Sequence, residues 1–474
     1  MSVPLSPQVQ LLVRDAHLLV TMDEHRTEIE GGWVAIDGGR VVATGTASTP
    51  CPPAQRIIDA SGCLVTPGLV NAHHHLFQNY TRAWPAMTGS SLFPWMSACF
   101  PVWAGLDDEA AYLAAWVGLG ELALSGCTAS TDMHYFHVAD RGDMVAATIK
   151  AAIEVGVRFH PSRASISTCG STSGGVIPAS IIQTPDEILS ECERLVATFH
   201  ETGPGAMVQI AFGPSMTFMM SRATTLELVD LAERLDVRMH THVAESADDD
   251  DFCLDTFGRT DFEHFEHVGL CTPRTWVAHC VRPTTAEMAR LKDRGVAVAH
   301  CPSSNAMLGS GIAPIRELLD VGVRVGLGVD GSSSNDSGSL WLEARQALMV
   351  GKLRSGPGAM QARDVLEMAT RGGAVCFGRE GELGQLSPGS AGDLAIWDLN
   401  GLSWPPLDVA DPVEAWLRCG PVAARETVVA GTLVVEQGRL VGRQFDEVLT
   451  RHSATARRLL DRVDGRRSPV GSRR

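Results

Sequence analysis

The sequence predicts a (β/α)8 barrel carrying a small β-sandwich domain built from both ends of the chain. Three observations lead there. Eight apolar, strand-like runs alternate with helical patterns through the middle of the chain, short β segments flank them at either end, and polar residues, histidine above all, gather where the apolar runs stop. Near-continuous apolar strands mean a parallel sheet covered on both faces, and eight strand–helix repeats are the number that closes a barrel.

Residues 9 to about 63 read as short β segments, with Asp37-Gly38-Gly39 as a hairpin turn between two alternating apolar runs. The barrel strands follow as LVTPGLVNAH (64–73), CTASTDM (127–133), VRFHPSRAS (157–165), AMVQIAFGP (206–214), VRMHTHVAE (237–245), TWVAHCV (275–281), VAVAHCP (296–302) and VRVGLGVDG (323–331). Helical patterns lie between them at 107–126, 186–200, 225–235 and 284–295. A β texture returns in AGDLAIWDLN (391–400) and ARETVVAGTLVVEQGRLVG (424–442), so the two chain ends can pair into one domain. The expected organisation is residues 1–66 as the N-terminal part of the sandwich, 67–380 as the barrel, 381–446 as the C-terminal part of the sandwich, and 447–474 as a C-terminal helix and frayed, arginine-rich tail.

Composition narrows the function. With 474 residues, 45% apolar and 20% charged, the chain is long enough for one large globular domain and a smaller one. No run approaches a membrane span and the start MSVPLSPQVQ lacks the pattern of a secretory signal, so a cytoplasmic protein without membrane partners is expected. Twelve scattered cysteines without a C-x-x-C pair read as free thiols in a reducing compartment. A formal charge of −16 argues against nucleic acid, whose binding is mostly phosphate neutralisation. The expected partner is a small molecule.

In such a barrel the chemistry sits at the C-terminal ends of the strands. Those ends hold His73 and His75, Asp132 and His134, Arg163, Gln209, His240, His242 and Glu245, His279, His300, and Asp330. Residues two apart on a strand face the same way, so His73 and His75 in LVTPGLVNAHHH can converge on one point. A lone H-x-H pair is weak evidence, but further imidazoles and a carboxylate end other strands. His73, His75, a histidine of the fifth run and Asp330 are the candidate metal ligands; His240 and His242 share a face, and spacing leaves either open. Imidazole and carboxylate donors suit Zn2+, with Fe2+ or Mn2+ as alternatives. A metal that keeps a water acidifies it, which makes this a hydrolytic site. Glu245, just past the fifth strand, is the candidate proton shuttle, and His279 the residue that bonds the attacking water or the substrate at the reacting carbon.

For substrate binding, Gln78 and Arg82 follow the H-x-H strand in the first loop of the active face, and Trp95 or Trp103 is a stacking candidate. The plainer alternative makes Arg82 a loop salt bridge and the tryptophans core.

The order of H-x-H after PGLVNA, then HTHVAE, an isolated histidine in TWVAHC, and VDGSSSND resembles the amidohydrolase superfamily, and within it the deaminase and triazine-hydrolase branch, over essentially the whole chain. HHHLFQNYTRA (73–83), SLFPWMSACFPVWAGL (91–106), VAESADDDDFCL (243–254), HCPSSNAMLGSGI (300–312) and VDGSSSNDSGSL (329–340) are similar to bacterial 8-oxoguanine deaminases. The resemblance implies a TIM-barrel zinc enzyme that deaminates a small heterocycle, 8-oxoguanine or an isocytosine-like base, with release of ammonia. It favours His242 over His240 as ligand, makes Asp330 the acceptor of the water's proton and Glu245 the donor to a ring nitrogen, and favours Gln78 for substrate binding. Two-metal relatives carry a bridging lysine at the end of the fourth strand, whereas this run has Gln209 and the chain's three lysines, Lys150, Lys292 and Lys352, all fall in helix-like segments. One metal per subunit is therefore expected, and a homo-oligomer is implied. The alternatives are an s-triazine hydrolase, either an aminohydrolase of hydroxyatrazine type or a chlorohydrolase, and an inactive barrel serving as a scaffold. Asp330 leans toward deamination because some chlorohydrolases of the branch replace it, and the filled ligand set argues against a scaffold.

Overall fold

The computed structural model describes residues 8–87, 89–167, 177–420, 423–442 and 445–464; the end of the arginine-rich tail lies outside them. Eight parallel strands close a barrel in chain order: β1 (Leu69–Asn71), β2 (Cys127–His134), β3 (Arg158–Ser165), β4 (Ala211–Pro214), β5 (Arg238–Val243), β6 (Thr275–His279), β7 (Ala297–His300) and β8 (Val325–Leu327). Helices cover the outside, and local chemistry starts them. Thr184, for example, accepts from Glu187 N while the Glu187 carboxylate accepts from Thr184 N at 2.7 Å, closing a capping box before Pro185–Phe199. Thr284 and Glu287 repeat the device before Thr285–Arg294.

Two strand boundaries differ from the apolar runs. The run 64–73 splits at Gly68: Cys63–Pro67 joins the sheet of the chain ends and Leu69–Asn71 enters the barrel. At this crossing the backbone presses on β2, where a Cβ on Gly68 would lie 2.1 Å from Thr128 Oγ1. The run 206–214 forms a strand only from Ala211, so Gln209 precedes β4 instead of ending it, and its amide donates to Glu201 O at 3.3 Å. The true end of β4 is Pro214–Ser215, which also carries no lysine; the three lysines all lie in helices, Met144–Val155, Thr285–Arg294 and Leu340–Ser355.

Both chain ends build one nine-stranded sheet. Cys63–Pro67 lies between Val9–Val20 and Leu394–Asp398, pairing Cys63 with Asp398 and Pro67 with Leu394. The sheet has its own core, including Leu11, Val34, Ile36, Val65, Ile396 and Val428. A buried ion pair ties it to the barrel floor: Arg158, at the start of β3, holds Asp393 through Nε at 2.7 Å and Nη2 at 2.9 Å. Removing one partner of such a pair costs roughly 3–5 kcal/mol because the other charge is left buried.

Two further helices bear on the mouth of the barrel. Leu92–Trp103 turns Trp95, Met96 and Phe100 inward. Phe445–Asp464 packs on Asp108–Leu124 and Leu92–Trp103, and its His452 stacks on Tyr80 at 4.5 Å while its Nε2 meets Asn79 Oδ1 at 2.8 Å. Among the described residues no helix is long and apolar enough to cross a membrane.

Candidate active site

Past β1 the chain stays extended and is laced to its neighbours: His73 O accepts from Asp330 N at 3.1 Å and His74 O from Met133 N at 2.7 Å. His73 and His75 therefore turn into the barrel mouth. His74 turns away, and its Nδ1 accepts from His75 N at 2.9 Å. His75 Nε2 lies 3.2 Å from His242 Nε2 and 3.3 Å from Asp330 Oδ1, and His73 Nε2 lies 3.2 Å from the same oxygen.

The partners on the far side of each ring fix its tautomer. His75 Nδ1 meets Met133 O at 2.8 Å and His242 Nδ1 meets Ser215 O at 2.6 Å. A carbonyl only accepts, so both Nδ1 atoms carry the hydrogen and both Nε2 atoms present lone pairs. His240 Nδ1 donates in the same way to Trp276 O at 2.9 Å, which leaves His240 Nε2 to accept from His73 Nδ1 at 2.8 Å. His73 Nε2 is then also bare, and it has no hydrogen-bond partner. Burial keeps the rings neutral: it drives His242 down to about 3 and lowers His73 and His75 as well. Two lone pairs at 3.2 Å repel unless a cation lies among them. Asp330 completes the donor set, with Oδ1 accepting from Gly331 N at 2.7 Å and Oδ2 from Ser334 Oγ at 3.1 Å, bonds that favour its ionised form. Three bare imidazole nitrogens and a carboxylate fit a divalent metal of the zinc type.

His240 and His242 share the inner face of β5 at different depths. His242 reaches the mouth, whereas His240 lies behind His73, stacked on Trp276 at 4.2 Å.

Glu245 and His279 stand beside this cluster, with Glu245 Oε2 at 3.6 Å from His279 Nε2, which is 3.9 Å from Asp330 Oδ2. Burial, then the charge of Asp330, pushes Glu245 well above the usual carboxylate range, which favours its neutral, proton-bearing form. His279 and Asp330 both adopt left-handed backbones, φ 71° and 60°, conformations of the kind that active sites hold against a cost of order 1–3 kcal/mol.

Gln78, on the short helix Leu76–Thr81, and Tyr135, just past β2, form one wall of the cavity; Trp95, Met96 and Met216 form much of the rest. Gln78 Nε2 donates to Tyr135 Oη at 3.2 Å, leaving Gln78 Oε1 buried without a partner. Gly331 makes this possible, since a Cβ there would lie 1.8 Å from Gln78 Oε1. The free space among these side chains is about 30 Å³, room for about two waters.

The other candidates lie elsewhere. Arg82 pairs with Glu121 at 2.6 Å and donates to Ser332 Oγ at 3.1 Å, bracing two loops outside the cavity wall. Trp103 is fully buried, with Nε1 donating to Thr81 Oγ1 at 3.1 Å; Trp95 is the tryptophan that lines the cavity. Arg163 points out between helices to Gln183 Oε1 at 2.6 Å, and His134 donates to Phe136 O at 3.0 Å. His300, at the end of β7, is buried and stands outside the cavity wall. Sequence reasoning passed over Tyr135, whose only signal was its position one residue beyond a strand end. It also passed over the Ser215 carbonyl, for which no side chain speaks.

Residues 64–434 match the model of the amidohydrolase family. The chain is 40% identical to the 8-oxoguanine deaminase of Pseudomonas aeruginosa, covering 91% of this chain and 95% of that protein. It is 32% identical to the hydroxydechloroatrazine ethylaminohydrolase of Pseudomonas sp. strain ADP, with 94% of each covered. Among solved structures, the atrazine chlorohydrolase from Arthrobacter aurescens TC1, complexed with zinc, superposes with a TM-score of 0.88 at 33% identity, covering 94% of this chain and all of that one.

Proposed function

The chain belongs to the amidohydrolase family, and from that membership we propose that it is a hydrolytic deaminase holding one zinc ion and acting on 8-oxoguanine or an isocytosine-like base. The observation that carries the substrate is the Gln78–Tyr135 pair. Gln78 Oε1 is an unused acceptor, and the Tyr135 hydroxyl, having accepted from Gln78, keeps its hydrogen to give. An adjacent acceptor and donor complement a lactam edge, N–H beside C=O, which both bases carry. The similarity to an 8-oxoguanine deaminase supports the same reading.

His73, His75, His242 and Asp330 would hold the metal. When bound, it supplies an acidified water as a nucleophile at neutral pH. Asp330 takes the proton of the attacking water. His279 Nε2 accepts a hydrogen bond from that water and orients it toward the carbon that bears the amino group. Glu245, whose burial favours its protonated form, gives its proton to the neighbouring ring nitrogen, so the ring does not accumulate charge as the new C–O bond forms. Collapse breaks the C–N bond: the amino group leaves as ammonia with the proton relayed from Asp330, and the hydroxyl left on the carbon returns its proton to Glu245. The ring is left with a carbonyl where the amine stood.

The test is ammonia release by the zinc-loaded protein from 8-oxoguanine, guanine, isocytosine, cytosine, ammeline and hydroxyatrazine, with alkylamine scored in parallel. Ammonia from 8-oxoguanine or isocytosine is the expected result. Alkylamine from hydroxyatrazine, with the bases untouched, would move the function to the triazine hydrolases. Absence of any turnover together with absence of stoichiometric metal would favour the scaffold.

A further inference from the structure

We infer that Asn305 is a positioning residue for the reaction: its side-chain oxygen fixes the tautomer in which His279 turns a bare Nε2 toward Glu245 and Asp330. His279 ends β6, and its Nδ1 meets Asn305 Oδ1 at 2.9 Å, with both residues buried. An amide oxygen accepts, so the ring hydrogen sits on Nδ1 and Nε2 keeps its lone pair. That Nε2 has no hydrogen-bond partner of its own and lies 3.6 Å from Glu245 Oε2 and 3.9 Å from Asp330 Oδ2. It is an acceptor held open beside the proton donor and the proton acceptor of the reaction. With the hydrogen on Nε2 instead, the ring would offer a donor to the two carboxyl groups and could not accept from the water.

The segment that carries Asn305 is anchored to the helix Leu340–Ser355. Asn305 sits on the short helix Pro302–Met307, where Ser303 N donates to Glu343 Oε1 at 2.8 Å. The other oxygen of Glu343 accepts from Asn335 Nδ2 at 3.0 Å, and that amide also donates to Val329 O at 2.7 Å, next to Asp330. One fully buried carboxyl thus clamps the helix that orients His279 to the turn that presents Asp330. The ring plane is constrained from its other side by His242, stacked on it at 5.4 Å.

The inference rests on the proposed part of His279 in the reaction, and the experiment separates the two. Zinc-loaded wild type, Asn305→Asp, Asn305→Leu and Asn305→Ala are labelled with 15N-histidine, and the His279 ring signals are assigned by their loss in His279→Gln. Wild type and Asn305→Asp should show Nδ1 protonated and Nε2 bare. Asn305→Leu, or Asn305→Ala should the leucine variant not fold, should populate the other tautomer. In kinetics the apolar variants should lose about 100-fold in kcat with KM within about threefold and metal content unchanged, while Asn305→Asp stays within about tenfold of wild type. An unchanged tautomer in the apolar variants, or a loss in Asn305→Asp as deep as in Asn305→Leu, would overturn the inference. A tautomer that shifts while turnover holds would remove His279 from the reaction, overturning the reading beneath and leaving only the alignment of the ring by Asn305.

Discussion

His75 and His242 bring bare Nε2 atoms to 3.2 Å of each other, each ring locked from behind by a backbone carbonyl. Such a pair is unfavourable without a cation, so metal removal should cost stability as well as activity. Dialysis against a chelator is expected to abolish turnover and lower the Tm, and zinc at 1,000 times its Kd should restore about 4 kcal/mol. His75→Ala and His242→Ala should each bind less than one metal per chain by elemental analysis. Full occupancy in both would dissolve the ligand set.

Glu245 stands at the edge of the cluster, and its raised pKa gives a different signature. Glu245→Gln should keep the metal while kcat falls about 100- to 10,000-fold. Because the acid acts in its protonated form, wild-type kcat should decline as pH rises through that raised value, and the variant should lack this limb. A variant with near-normal turnover would take Glu245 out of proton transfer.

The wall proposed to read a lactam edge can be probed from both sides. Tyr135→Phe removes the donor and should cost about tenfold in kcat/KM on an oxo-substituted ring, the worth of one good hydrogen bond. Gly331→Ala forces Gln78 away, since the new Cβ would fall 1.8 Å from Oε1, and should lower kcat/KM further without loss of metal. Unaltered kinetics in both variants would place substrate recognition elsewhere in the cavity.

Asp132 lies one layer below the site, its Oδ1 accepting from Leu76 N at 2.9 Å, and burial raises its carboxyl from 3.8 to about 7. Between those values the folded protein holds a proton that the unfolded chain releases. The contribution of Asp132 to stability therefore falls as pH rises from about 4 to 7, by on the order of a few kcal/mol, and the full penalty persists above 7. Asp132→Asn keeps the acceptor for Leu76 and removes the titration. Urea melts at pH 4.5, 6 and 7.5 should show the variant gaining on wild type at each step; parallel curves would mean that Asp132 stays ionised.

The barrel was legible because its strands are buried on both faces and therefore read as apolar runs, and the proposed metal ligands stand out because they interrupt those runs at one end. Depth was not. His240 and His242 obey the same two-residue period, and only the packing of His240 on Trp276 shows which of them stands behind the other. Arg82 and Trp103 misled as substrate candidates for a related reason: nearness in sequence to the first strand end says nothing about direction, and Glu121 and Thr81 claim them from outside the cavity. Asn305 was invisible because its partner His279 sits on another strand and no spacing rule links the two. The run 64–73 concealed a change of domain at Gly68, which a hydrophobic pattern passes through unchanged.

The sheet made by the chain ends has a consequence for biosynthesis. Thr66 and Trp397, bonded to each other in the finished protein, are 331 positions apart, so a ribosome adding about 5–20 residues per second separates them by on the order of tens of seconds. Throughout that interval the strand Cys63–Pro67 waits with the edge meant for Leu394–Asp398 uncovered. The nascent chain must therefore guard an exposed edge while the whole barrel is being made. Its most vulnerable moment comes before the catalytic centre exists, and mutations that weaken Leu394–Asp398 should reduce yield in the cell more than they reduce the activity of whatever folds.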